Sequence, residues 1–152
     1  MYKTSLSGSK FDKRVIKRLE QSVHAIHALY DGNLIEIDVF GSYSKGSSKK
    51  YSSIDLLVII GESEDRFVKR NATLQRLLNE GDQIPLIDPL VYTQDEMVDL
   101  LKKRESFLIS AIKESMVIWN GFNEILLSEL KDSNALPSRF MPTAPHLGEI
   151  EF

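Results

Sequence analysis

Two small residues, Gly41 and Ser42, close one apolar stretch, and an aspartate, Asp55, stands near the start of the next. Glycine lets a backbone come close to an anion, and serine adds a hydroxyl donor. A helix starting just after Ser42 would aim its free N–H groups at the same spot, and Lys45 would add positive charge. That is the chemistry of a phosphate cradle. Gly-Ser alone is an ordinary turn. A carboxylate at a fixed distance on an apolar strand makes the pattern far more specific. Asp88, in Ile-Asp-Pro-Leu-Val-Tyr-Thr, stands before a proline, which is common turn chemistry. Lys49 and Lys50 suit phosphate steering and a solubilising loop equally.

These residues need elements to hold them. Residues 34–40, LIEIDVF, alternate, with Ile35, Ile37 and Val39 on one face and Glu36 and Asp38 on the other. The pattern predicts a strand with its polar face toward solvent. Residues 41–53 are small and polar, a loop or a short helix. Residues 54–60, IDLLVII, read as a central strand and Gly61 ends it. Upstream, the apolar stripe from Phe11 to Tyr30 predicts a helix, ended by Asp31-Gly32-Asn33. Its basic residues from Lys10 to Arg18 are expected on the wet side. Residues 62–80 predict a second long helix, ended by Gly81-Asp82. Residues 84–93 predict a strand at an edge, because Pro85 and Pro89 lack a ladder donor. Thr93 to Glu96 is a capping box opening a helix through Leu101. Phe107 to Ile112 mark another helix, and Val117-Ile118-Trp119 a last short strand. A short helix over 122–131 and an extended tail beyond Asn134 complete the reading. So do residues 1–10 as a frayed start. The expected organisation is one domain over 1–120 and a C-terminal extension over 121–152.

At Gly41-Ser42, the ten-residue spacer Tyr43–Ser52, and Asp55 on its strand, the sequence resembles a minimal nucleotidyltransferase of the DNA polymerase β superfamily, of the small archaeal and bacterial kind. Gly41, Ser42 and Gly46 match that family's Gly-Ser-x-x-x-Gly portion. Asp55 matches the second aspartate of its Asp-x-Asp pair, and Asp88 the third carboxylate on a later strand. The resemblance implies an α/β fold, a small mixed sheet flanked by helices. It implies binding of a nucleoside triphosphate, ATP above all, with Mg2+. Gly41, Ser42, Lys45 and Gly46 would hold the phosphates, and Asp55 and Asp88 the metal. The reaction would pass a nucleoside monophosphate to an acceptor hydroxyl. It also implies a helical HEPN-type partner in a toxin–antitoxin pair. The departure is Ser53, at the position of the first aspartate. A neutral hydroxyl is a poor ligand for magnesium, so a degenerate module that binds nucleotide without turnover is the alternative. Glu36 or Asp38 could substitute for the missing charge only if their face opens toward the metal.

Composition narrows the remaining choices. The chain has 152 residues, 42% hydrophobic and 27% charged, enough for one packed domain. It has no cysteine, which removes disulfide scaffolds, thiolate metal sites and cysteine nucleophiles and suits a reducing cytoplasm. The net charge of −3 is not the footprint of bulk nucleic-acid binding. No apolar run reaches membrane-helix length, and the N-terminus does not read as a secretory signal. His24 and His27 read as ordinary helix histidines, and Trp119 as core or rim. The apolar residues Phe140, Met141, Leu147, Ile150 and Phe152 suit docking on a partner or in a homo-oligomer.

Overall fold

The computed structural model describes residues 11–45 and 52–121, with Ser44 and Lys45 described by their backbone alone. The expectations for 1–10, Gly46, Lys49, Lys50 and 122–152 lie outside the described residues. The elements run α1 (Lys13–Tyr30), β1 (Leu34–Phe40), α2 (Ser42–Lys45), β2 (Ile54–Ile60), α3 (Phe67–Leu78), β3 (Ile87–Thr93), α4 (Gln94–Lys102), α5 (Ser106–Glu114) and β4 (Met116–Asn120). A 3-10 turn over Asp31–Asn33 joins α1 to β1. The strands form one mixed sheet in the order β3-β2-β1-β4. β1 is antiparallel to both β2 and β4, and β2 is parallel to β3. The α/β class and mixed sheet expected from the sequence are those observed.

β2 is central because its residues are apolar on both faces. Ile54 and Leu56 through Ile60 are all fully buried. Ile37, Val39, Leu56, Val58 and Val91 pack under α1 and α3. Phe40, Leu57 and Ile59 pack under α4 and α5 with Met97, Leu101 and Leu108. Truncating one of these large side chains to alanine should cost about 2–5 kcal/mol. α1 starts where Asp12 accepts from the Val15 N–H at 2.9 Å. The Thr93–Glu96 capping box forms as expected and turns the chain from β3 into α4.

Two polar expectations are corrected. Glu36 and Asp38 are fully buried, because α5 packs over the face that alternation assigns to solvent and Asn120 of the neighbouring strand β4 meets Glu36. Arg18 is not on the wet side of α1. It is 4% exposed, and burial holds its pKa below the usual guanidinium range. Its Nε donates to Pro85 O at 2.8 Å and its Nη2 to Leu78 O at 3.0 Å, so it closes the C-terminus of α3.

β3 begins at Ile87 rather than 84, so only Pro89 lies in it; it is an edge strand, as expected, and its outer edge is covered. Asn79 Oδ1 accepts from Ile87 N and Asn79 Nδ2 donates to Ile87 O, both at 2.8 Å. Asn71 Oδ1 accepts from Val91 N at 2.7 Å, and Arg70 Nε donates to Val91 O at 3.2 Å. Pro89, between them, has no N–H to cover. Among the described residues, no helix is long and apolar enough to cross a membrane.

Candidate functional site

The parallel register of β2 and β3 sets Asp55 directly beside Asp88. Neighbouring strands lie about 4.8 Å apart, so the two carboxylates on one face are close. On the other side, β1 pairs Phe40 with Asp55, and the chain leaves β1 at Gly41. Alternation places Asp55 and Asp88 on the sheet face that α4 and α5 cover further along. Here, at the start of both strands, Asp55 is half-buried and Asp88 exposed.

Gly41 is required for two separate reasons. Its φ is +73°, where a side chain is strained, and a Cβ there would lie 2.4 Å from Asp55 Oδ2. The backbone of the Gly-Ser turn therefore rests against the carboxylate. Ser42 follows as the first residue of the four-residue α2. The structure thus brings together Gly41, Ser42, Asp55 and Asp88, as their spacing suggests. Lys45 is placed only by its backbone, and Gly46 lies outside the described residues.

The Asp55 pKa is raised, first by desolvation and second by the negative charge of Asp88. Two carboxylates that repel one another gain from a cation between them. Magnesium is commonly held by one or two carboxylates together with substrate phosphates, so Asp55 and Asp88 fit one such ion. No group of three or more acidic, histidine or cysteine residues that could hold a metal ion occurs among the described residues. Ser53, two residues before Asp55, contributes no charge, so the described residues set no third carboxylate beside Asp55 and Asp88. Glu36 and Asp38 do not supply the missing charge: they bond to Asn120 and Ser115, on the β4 side of the sheet.

Two contacts that sequence reasoning did not single out hold the carboxylate strands. Tyr43 is buried and its hydroxyl donates to Ser52 O at 3.0 Å, tying α2 to the approach to β2. Asn79 grips Ile87, the residue before Asp88, and itself accepts from Arg18 Nη2 at 3.2 Å. Asparagine at a helix end looks like ordinary capping, so nothing in the sequence marked it. Beside Asp88 lies an open groove of about 550 Å³, lined by Ser53, Gln75, Arg76, Glu80 and Leu86 among others. His24 and His27 take no part in the site. His27 packs edge-on to Trp119, with centroids 5.5 Å apart.

Comparison with known proteins agrees with this fold. A family model described as a nucleotidyltransferase domain matches residues 13–118. The fold is similar to that of a candidate nucleotidyltransferase from Sulfolobus solfataricus, with a TM-score of 0.53 at 19% identity, covering 84% of this chain and 98% of that one. Weaker likenesses are to a toxin–antitoxin with AMP-PNP, with a TM-score of 0.48 at 19% identity over 73% of this chain and 78% of that one. A mutant of the toxin–antitoxin MntA-HpeT gives a TM-score of 0.47 at 18% identity over 74% of this chain and 82% of that one. No curated protein matches the chain. The match over residues 13–118, on a mixed sheet that sets Asp55 beside Asp88, shows that this chain belongs to the nucleotidyltransferase domain family.

Proposed function

We propose that this domain binds a nucleoside triphosphate, ATP by resemblance, with one magnesium ion, and passes its nucleoside monophosphate to an acceptor hydroxyl. The observation that carries this reading is the contact of Gly41 with Asp55, beside Asp88 in register. Gly41 and Ser42 would receive the terminal phosphates, and Asp55 and Asp88 would hold the ion. When bound, a divalent ion supplies positive charge against the phosphate oxygens, the use this family makes of divalent metal. The protein's own part is to fix the phosphates and orient the hydroxyl. Asp88, the more exposed carboxylate, would accept the hydroxyl's proton. A cysteine-free chain suits a cytoplasmic setting, and the acceptor can be a small molecule or a group on a partner protein.

Ser53 favours a second reading, in which the module binds nucleotide but does not turn it over. Calorimetry with ATP and magnesium, paired with transfer of α-labelled phosphate, separates the two. Binding that Asp55→Asn and Asp88→Asn both abolish, with transfer of label, supports the enzyme. Binding without transfer supports the module. Binding unaffected by either substitution overturns the enzyme reading, and absence of binding overturns both.

A further inference from the structure

Phe107 is the one exposed Phe, Tyr or Trp among the described residues, at 51% exposure. It does not stand on a remote flank of the fold. Phe107 is the second residue of α5, and its ring meets that of Phe40 edge to face, with centroids 6.1 Å apart and 84° between the planes. Phe40 is the last residue of β1, immediately before Gly41, and pairs in register with Asp55. Phe40 packs with Leu57 and Ile59, and Asp55 lies two residues before Leu57, so ring and carboxylate share one face of the sheet. Side chains directly opposite on neighbouring strands lie about 5 Å apart at Cβ. Asp88, Asp55, Phe40 and Phe107 therefore follow one another across a single face, from β3 through β2 and β1 to the first turn of α5.

The ring is held in place and has a surface to offer. Glu105 Oε2 accepts from the Leu108 N–H at 2.7 Å, which fixes the first turn of α5, and Leu108, next to Phe107, is fully buried. In an edge-to-face pair, each ring leaves at least one face unused by the other. With half of Phe107 exposed, that surface is within reach of a ligand, whereas Phe40 beneath it is buried. A lone exposed apolar side chain needs no explanation. One propped beside a phosphate cradle does. A nucleoside triphosphate is charged at one end and carries a flat π-face at the other. Its phosphates belong with Gly41, Ser42 and the ion, and the acceptor hydroxyl with Asp88. On the opposite side of Asp55, the same face presents aromatic rings.

We propose that Phe107, propped by Phe40, is the platform on which the nucleobase of the bound nucleotide stacks. This rests on the nucleotidyl-transfer reading above. Stacking uses the π-face that every base has and reads no hydrogen-bonding edge. The donor is therefore selected by ring size rather than by base identity: a purine nucleoside triphosphate, adenine or guanine alike, ahead of a pyrimidine one. Stacking one base on an aromatic side chain is worth roughly 5- to 150-fold in affinity. Phe107 touches no reacting atom. It is a positioning residue, which anchors the base end while Gly41, Ser42 and the carboxylates hold the other.

Calorimetry of the full chain with ATP, GTP, UTP and inorganic tripolyphosphate, each with magnesium, tests this. Tripolyphosphate carries the charge without a base. Expected is that ATP and GTP bind within about threefold of one another and both more tightly than UTP. Phe107→Ala and Phe107→Leu should each weaken ATP by roughly 5- to 150-fold and leave tripolyphosphate within about twofold. Leucine keeps the apolar bulk and removes the ring, so it separates stacking from mere apolar contact. Phe107→Trp should restore ATP binding, and the added indole fluorescence should be quenched by ATP but not by tripolyphosphate. Thermal unfolding shows that each variant is folded. ATP affinity unchanged in Phe107→Ala would overturn the platform, the outcome expected if this ring instead meets a partner protein. So would equal weakening of ATP and tripolyphosphate, or ATP binding that Phe107→Leu preserves. If neither ATP nor tripolyphosphate binds the parent, the nucleotide reading falls and the platform with it, a result distinct from binding that ignores Phe107.

Discussion

Replacing Asp38 with asparagine should stabilise this domain, and more so as pH rises. Asp38 is fully buried. Its Oδ2 accepts from Ser115 Oγ at 3.3 Å, and its Oδ1 has no hydrogen-bond partner. Glu36, two residues away on the same face, is also fully buried and accepts from Asn120 Nδ2 at 3.1 Å. Burial first, then the charge of Glu36, raises the Asp38 pKa well above the usual carboxylate range. A proton on Asp38 lets it donate to Glu36, which two ionised carboxylates cannot do. The sign follows from linkage. In the unfolded chain Asp38 ionises near pH 3.9, about the ordinary value. In the folded chain it holds its proton to higher pH. The favourable contribution is therefore complete below the unfolded pKa. It falls as pH rises toward the folded one, by on the order of 1 kcal/mol per pH unit for one proton. Asparagine keeps the shape, the acceptor for Ser115 and a donor for Glu36, but cannot ionise. Urea unfolding followed by circular dichroism at steps from pH 4 to pH 8 should show the gap between variant and parent widening. For a chain of this length each kcal/mol is about 2–4 °C in Tm. A gap that stays constant across that range, or a variant that loses ground as pH rises, would refute the buried-proton reasoning.

Other perturbations address the site itself. Ser53→Asp should raise magnesium-dependent transfer by roughly 10²–10³, the usual worth of one restored electrostatic contact, measured with α-labelled ATP; an unchanged rate would argue that the missing charge is not what limits the domain. Gly41→Ala must both adopt a strained φ and displace Asp55, so it should abolish nucleotide binding in calorimetry and lower stability by about 1–3 kcal/mol on thermal unfolding. Asp55→Asn should raise the Tm of the ligand-free protein at neutral pH, because the raised Asp55 pKa makes its ionisation unfavourable in the fold, while divalent-ion binding is lost. In the parent, divalent affinity should fall as pH drops through that raised value. Asn79→Ala leaves the backbone groups of Ile87 uncovered and should cost about 1–3 kcal/mol, with faster hydrogen exchange at Ile87 than in the β1–β2 ladder.

The central features were legible because each rests on a local rule. β2 announces itself as an unbroken apolar run, and the capping box at Thr93 as a four-residue motif. Gly41, Ser42 and Asp55 stand out by their spacing and Asp88 by resemblance to a family's third strand, and the register of β2 with β3 puts the two aspartates side by side. What was not legible depends on partners distant in sequence. Alternation in β1 reads Glu36 and Asp38 as solvent-facing, but a strand cannot report that α5, some 80 residues on, will pack over it and that Asn120 of β4 will meet Glu36. Arg18 looks like one more cation on a basic helix until the carbonyls of Leu78 and Pro85 meet it. Helix α3 spans the apolar residues Phe67 to Leu78 inside the expected 62–80, and ends there because Asn79 leaves the helix to pair with Ile87.

The covering of β3 has a consequence for assembly. A bare edge strand is an invitation for another chain to add its own strand, whether in a regulated complex or in aggregation. At β3 that invitation is withdrawn: side-chain amides and a guanidinium imitate the missing neighbour, and Pro89 interrupts what they leave. A visiting polypeptide therefore has no backbone ladder to read along this side. Whatever approaches the carboxylates from the direction of α3 must be recognised by its side groups and shape. The same amides that steady the strand under Asp88 thus also keep its flank from becoming sticky, and growth of the sheet, if it occurs, is diverted to the opposite margin at β4.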